Sequence, residues 1–293
     1  MKHIVCIGDL MVDVVAELPG PISIGSDRPA PVTLRGGGAA ANVASWAVAE
    51  GAEATFVGRI GDDALGLRAV DELTAAGVVP MVEIDPERAT GVCIVLVDER
   101  GERSMVPSSG ANAAASDVSL LPQQADWLYV SGYALFSEHA RPFAMAAMAE
   151  ARARGWSIAV DAASAAPLVE AGGDTFLDWI GTGVLLFAND EEAGVLVGHA
   201  CEAAATTLGA RCGQTVVKRG ASGALWSDGS TVLSVPAADV TVVDSTGAGD
   251  AFAAGFLAGD GPIEQRLLAA TRVAAKVVAR VGARPGPLSE RGR

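Results

Sequence analysis

Between Trp127 and Arg280 short apolar runs alternate regularly with helical patterns, and this alternation narrows the folds open to the chain more than any other feature. Trp127–Ser131, Ser157–Asp161, Val184–Ala188, Thr215–Arg219 and Ala224–Ser227 read as strands. His139–Arg154, Glu191–Val197, Ala203–Leu208, Ala248–Leu257 and Ile263–Arg280 read as helices. Upstream, Ile4–Gly8 and Ala54–Ile60 add strands, and Ala39–Glu50 and Leu65–Ala76 add helices. Strands that alternate with helices pack as a mostly parallel sheet covered on both faces, so a three-layer α/β/α domain is expected.

Two segments break the alternation. Residues 14–35 scatter Val and Ile among Pro19, Pro21, Pro29 and Pro31. Residues 79–110 hold three β-rich runs, Val79–Ile84, Thr90–Asp98 and Arg103–Pro107, the last two joined by a hairpin turn at Glu99–Glu102. The expectation is that both segments pair as a small sheet beside the large one. No linker, repeat or low-complexity tract divides the 293 residues, so one domain over 1–293 is expected.

Composition removes several classes of function. A net charge of −14 argues against sequence-independent nucleic-acid binding, which needs a basic surface. The apolar run at the N-terminus is broken by Asp9 and Asp13, so it reads as neither a signal peptide nor a membrane span. Cys6, Cys93, Cys201 and Cys212 form no C-x-x-C pair, which fits a reducing cytoplasm. His3, His139 and His199 stand alone, without metal-ligand spacing.

The sharpest chemical signal is Asp244-Ser245-Thr246-Gly247-Ala248-Gly249-Asp250, between a β-rich run (Val240–Val243) and a helix. Its glycines let backbone approach a ligand, and the first amides of the helix lack intrahelical partners. With the helix dipole they form an anion site suited to the charge of phosphoryl transfer. Asp250 beside it is placed to take a proton from an attacking hydroxyl. The plain alternative is a glycine turn with Asp250 as a cap. The two aspartates that bracket Thr-Gly-Ala-Gly favour the catalytic reading.

At these residues the sequence resembles the ribokinase-like (PfkB) carbohydrate kinases, whose signature is close to Asp-Thr-Thr-Gly-Ala-Gly-Asp, with Ser245 here in place of one Thr. The resemblance implies that Asp250 is the catalytic base and that the backbone of Gly247, Ala248 and Gly249 is the anion hole, with Thr246 at the ATP. It also implies a ribokinase-like fold with a small β-sheet lid, here about 14–35 and 79–110.

Other motifs follow in the family's order. Gly8-Asp9-Leu10-Met11-Val12-Asp13 is similar to its opening strand, which makes Asp13 a ligand for substrate hydroxyls. Gly36-Gly37-Gly38-Ala39-Ala40-Ala41-Asn42 resembles its substrate loop, at Gly37, Gly38 and Asn42. Gly110-Ala111-Asn112 resembles the segment returning from the lid and brings Asn112 toward the sugar. Asn189-Asp190-Glu191-Glu192 resembles the Asn-x-x-Glu element, in which Asn189 faces ATP and Glu192 holds Mg²⁺ through water; an acidic helix start is the plain alternative. Lys218-Arg219-Gly220-Ala221-Ser222-Gly223 resembles the nucleotide loop, giving Lys218, Gly220 and Gly223. Gly282–Gly286 resembles a stretch near the nucleotide and a monovalent-cation loop, so potassium is a candidate activator.

The resemblance therefore implies an Mg²⁺- and ATP-dependent kinase for a hydroxyl of a small ribose- or fructose-like sugar. Ala39 stands where many ribokinases and phosphosugar kinases carry Lys, which disfavours a phosphorylated substrate. A nucleoside kinase of the adenosine or pseudouridine type is an alternative, and a catalytically silent sugar- or nucleotide-binding regulator another. Exposed lid strands are expected to pair two copies into a homodimer.

Overall fold

In the computed structural model, residues 1–286 are described apart from 23, 115 and 200. The strands are β1 (His3–Ile7), β2 (Met11–Glu17), β3 (Val32–Gly37), β4 (Glu53–Gly61), β5 (Val79–Asp85), β6 (Gly91–Val97), β7 (Arg103–Ser108), β8 (Trp127–Ser131), β9 (Ser157–Asp161), β10 (Val184–Asn189), β11 (Gly213–Lys218), β12 (Ala224–Ser227) and β13 (Val232–Val235). Nine of them form one sheet in the order β13-β12-β11-β10-β9-β8-β1-β4-β5. From β5 to β11 all neighbours are parallel, and β12 and β13 close the far edge as antiparallel strands.

Alternate residues of each strand feed opposite cores, as the two-residue period of a strand requires. Ile4, Cys6, Phe56, Tyr129 and Phe187 pack with the helices Ala39–Ala49, Ala64–Ala75, Ala248–Ala258 and Ile263–Val278. Val5, Ile7, Val130, Val160 and Leu186 pack on the other face with the helices Arg141–Ala153, Asp190–Val197 and Cys201–Cys212. Two short helices, Ala165–Ala171 and Gly173–Ile180, share that second layer. With strands buried on both faces, the charged groups of the central strands β8 to β11 lie at strand ends. Asp9 follows β1, while Asp161, Asn189 and Lys218 end β9, β10 and β11, all at the same carboxyl edge of the sheet.

The smaller sheet has the order β3-β2-β6-β7. The expected small sheet is there, but β5 is not in it. Val79–Asp85 pairs in parallel with Thr55–Gly61 of β4 at the edge of the large sheet. The helix Ala64–Ala75 is the crossover that brings it there. Arg59 fastens the pair, reaching Glu83 and Asp85 at 2.9 Å each. The β-rich run Val240–Val243 is not a strand either. The amides of Val243 and Asp244 donate to the Val278 carbonyl, at 2.6 and 3.1 Å, so this segment is held by the end of a helix and not by a sheet. Among the described residues no helix is long and apolar enough to cross a membrane.

Candidate active site

The Ala248–Ala258 helix starts at Gly247, whose φ of 75° is left-handed. A side chain there would strike the backbone of Ala283, so glycine is required for both conformation and space. The Ala248 amide donates to Ser245 O at 3.2 Å and closes the turn. The amides of Gly249 and Asp250 are then the ones a helix start leaves for an anion.

Asp250, in the first turn of that helix, accepts a hydrogen bond from Asn42 Nδ2 at 2.8 Å. Burial pushes its carboxyl up to about 7; the Asn42 bond and Lys218 pull down and Asp161 pushes further up. A carboxylate with a pKa near neutrality is suited to accept a proton at physiological pH. Asn42 sits in the Ala39–Ala49 helix, whose first amide, that of Ala39, donates to Asp9 Oδ2 at 3.0 Å.

Asp13 lies on β2, across from Arg35 of β3 and Cys93 of β6. Burial pushes its carboxyl up to about 6, against the pull of Arg284. Gly37 leaves the room that this carboxylate occupies, and Gly38 opens the adjoining helix. Asp13, Arg35 and Arg103 line one cavity together with Asp244 and Thr246. Arg103, on β7, pairs with Asp244 and so ties the small sheet to the glycine loop. Burial acts against the charge of Asp244, but the amides of Gly282 and Thr246, each at 2.8 Å, and Arg103 hold its carboxyl below the usual range.

On the other side of the glycine loop lies Lys218. Its Nζ is 2.7 Å from Asp161 Oδ2, and a side chain at Gly249 would come within 3.1 Å of it. Burial opposes the ammonium charge, but Asp161, Glu192 and Asp250 raise its pKa above the ordinary lysine value. Asp161 is itself fixed by the Ala163 amide at 3.0 Å, where Ala163 has a φ of 69°. A non-glycine residue in that region carries backbone strain, and such strain collects at functional sites.

Not every residue expected at the ligand is free to reach one. Asn112 Oδ1 accepts from the Leu10 amide at 3.0 Å, and its Nδ2 donates to Leu10 O and Ser109 O. Its amide staples the returning chain to the β1–β2 connection, and the residue lines a cavity together with Asp9 and Tyr133. Asn189 and Glu192 form a reciprocal capping box, with three bonds of 2.8 Å between them. Glu192 is buried, and burial raises its pKa. Both of its oxygens are taken by Asn189, and no cluster of three metal-ligating side chains exists among the described residues. That arrangement suits a cation that arrives with phosphates and keeps its waters. Gly223 packs against Val235 O in the β11–β12 hairpin, whereas Gly220 faces open space at its tip.

Asp161, Arg103 and Arg284 were not singled out by sequence as site residues, yet all three join the cluster. Asp161 had a visible signal, since a charged residue closing an apolar parallel strand lies at the edge where α/β sheets bind ligands. Arg284 lies within the family-like stretch Gly282–Gly286 and Arg103 opens a β-rich run, but the role of neither is legible there because their partners are far away in the chain.

Comparison with known proteins gives this arrangement a family. The chain matches the model of the pfkB family carbohydrate kinases over residues 1–291. It is 32% identical over 289 residues to the ATP-dependent ribose-1-phosphate kinase of Halopiger xanaduensis, covering 96% of this chain and 91% of that protein. It is 30% identical to the aminoimidazole riboside kinase of Salmonella typhimurium, covering 88% and 80%. Its structure superposes on that of adenosine kinase from Sinorhizobium meliloti with a TM-score of 0.87 at 26% identity, covering 97% and 96%. A ribokinase-like fold with its sheet-edge carboxylates and glycine loop, and a match over nearly the whole chain, place this protein in the pfkB family of carbohydrate kinases, ATP-dependent phosphotransferases that act on an alcohol group.

Proposed function

We propose that the acceptor is the primary hydroxyl of a ribose-like sugar, with Asp250 as the base that deprotonates it. The observation that carries this reading is the convergence of Asp13, Asn42 and Asp250 on one glycine strip below the small sheet. Asp13 accepts hydroxyl protons from the ring. Asp250 takes the proton of the attacking hydroxyl, whose oxygen bonds to the γ-phosphorus of ATP as the bond to ADP breaks. The Gly249 and Asp250 amides and the Lys218 ammonium stabilise the charge on the transferred group. Gly220, at an open hairpin tip, leaves room for the nucleotide. Asn189 and Glu192 would hold Mg²⁺, which would neutralise phosphate charge there. The small sheet acts as a lid that excludes water. Potassium is a candidate activator near Gly282–Gly286. The buried free thiols Cys6, Cys93 and Cys212 suit a reducing cytoplasm.

A second reading is a ribose that carries an anion on its anomeric carbon. Arg35 and Arg103 line the Asp13 cavity, and the Halopiger relative is named for ribose 1-phosphate. Against it stands Ala39 in place of a lysine. ATP consumption with Mg²⁺ against ribose, ribose 1-phosphate, fructose, adenosine and aminoimidazole riboside decides between them. Ribose is expected to give the highest kcat/KM. A winning ribose 1-phosphate selects the second reading, and a winning fructose excludes both.

We also propose that two copies pair through the lid. Leu34, Val14, Ile94 and Val106 form one row across β3, β2, β6 and β7 on the face away from Asp13. Leu34, Ile94 and Val106 are 40%, 47% and 60% exposed. An apolar row of this kind on an open sheet is a pairing surface. Light scattering is expected to show a dimer at micromolar concentration, and Ile94→Asp a monomer. A monomeric wild-type protein would refute the pairing.

A further inference from the structure

The segment after the last helix does more than close the chain. It is pinned on both sides: the Gly282 amide donates to Asp244 Oδ2 at 2.8 Å, and Trp46 Nε1 donates to Ala283 O at 2.8 Å. Arg284 therefore leaves a fixed backbone and runs back under the glycine strip. Its guanidinium lies against Gly36, where any side chain would overlap Nη1. Its Nη2 donates to Gly37 O, at the end of the lid strand β3, and its Nε donates to Asn42 Oδ1 at 3.0 Å. Asn42 then donates from Nδ2 to Asp250 Oδ2 at 2.8 Å.

An amide has one acceptor end and one donor end, and nothing intrinsic chooses which faces a carboxylate. Arginine has donors only, so Arg284 accepts no alternative: Oδ1 of Asn42 must turn to it, and the NH₂ must turn to Asp250. A flipped Asn42 would set a carbonyl oxygen against the carboxylate. The bond to Oδ2 also leaves Asp250 Oδ1 as the oxygen that receives the proton.

We infer that Arg284 is a positioning residue for phosphoryl transfer, fixing the orientation of the Asn42 amide and through it the geometry of Asp250. The assignment rests on Asp250 being the base. Its charge survives burial: although burial lowers the Arg284 pKa to about 10, Glu72, Asp13, Asp9 and Asp250 support the cation. The charged and titratable groups facing Asp250 are Asp161 from β9, Lys218 from β11, Asp9 after β1, Tyr129 from β8, Tyr133 after it, and Arg284. Among the described residues, Arg284 is the one of these groups that hydrogen-bonds the amide that donates to Asp250.

The test is the pH dependence of kcat/KM for the best acceptor, in the wild type, Arg284→Lys, Arg284→Gln, Asn42→Ala and the double variant Asn42→Ala/Arg284→Lys. Lysine keeps the charge and loses the two-pronged fork. Loss of an oriented donor raises the pKa of the base, so the acid limb should move up by about half a unit or more in both Arg284 variants. At pH 6.5 a half-unit shift alone lowers kcat about threefold and the misaimed carboxylate carries the fall to about tenfold, with KM changed by less than about threefold. The double variant should titrate as Asn42→Ala does, because the effect of Arg284 passes through Asn42. An unmoved acid limb, additive losses in the double variant, or a raised KM alone would overturn the assignment. A lysine variant that does not fold overturns it in favour of a purely structural arginine. Asp250→Asn separates the two layers: full turnover in that variant sinks the base itself, whereas a dead Asp250→Asn beside wild-type Arg284 titrations sinks only the relay.

Discussion

Asp250→Asn is expected to lower kcat by about 10²–10⁴-fold while ATP and acceptor still bind, because only the proton acceptor is removed. The wild-type profile carries the same information. The Asp250 carboxyl titrates at about 7, chiefly because it is buried. Only its ionised form accepts a proton, so kcat/KM should fall about tenfold per pH unit below 7 and level off above it. Stability should run the other way. A folded pKa above the unfolded value means that the native state binds the extra proton, so this group costs stability as pH rises from about 4 through 7. The amide of the variant never ionises. Asp250→Asn should therefore melt higher than the wild type at pH 8, with a smaller difference at pH 5. Calorimetry at the two pH values, beside the turnover assay, checks both halves. A variant that keeps turnover, or that is less stable at pH 8, would show that Asp250 is not a buried ionised base.

Lys218→Met is expected to have the largest effect on stability. The Lys218 and Asp161 side chains are 15% and 8% exposed, and buried Glu192 adds a second negative charge. Removing one partner of a buried pair leaves the other without compensation, a loss on the order of 3 kcal/mol. For a chain of this size that is roughly 6 °C in Tm. The ammonium also lies beside Gly249 at the start of the helix, where we propose the transferred phosphoryl group sits, so kcat should drop by about 10²-fold or more. The double variant Asp161→Asn/Lys218→Met separates the two losses. It removes both charges of the pair and leaves buried Glu192, so part of the stability should return while turnover stays low. Recovered turnover would mean that the lysine serves only the fold. Unrecovered stability would mean that the pair is not the source of the loss.

Much of this molecule was legible in its sequence because the relevant signals are local. The order of strands and helices follows from apolar runs a few residues long, which is why the parallel sheet and both helical layers were foreseen. The glycine loop and Asp250 carry their chemistry within seven residues, Asp244 to Asp250. Where sequence misled, the cause was a partner outside the window. Val240–Val243 has the side chains of a strand, but the acceptor its chain finds is the Val278 carbonyl. Val79–Asp85 has the same β character as the strands of the small sheet, and only the crossover before it assigns it to the large sheet.

The sequence by itself determined the layered architecture, the glycine turn before the Ala248–Ala258 helix and the carboxylate beside it, because each depends on spacings within one or two turns of chain. The tertiary structure decided how those parts are charged and aimed. The pKa of Asp250 depends on burial and on Asn42, 208 positions away. The ammonium of Lys218 is held by Asp161, 57 positions away, and the amide of Asn42 is turned by Arg284, 242 positions away. Electrostatic interactions and hydrogen bonds depend on distance in space, and no local pattern encodes that distance.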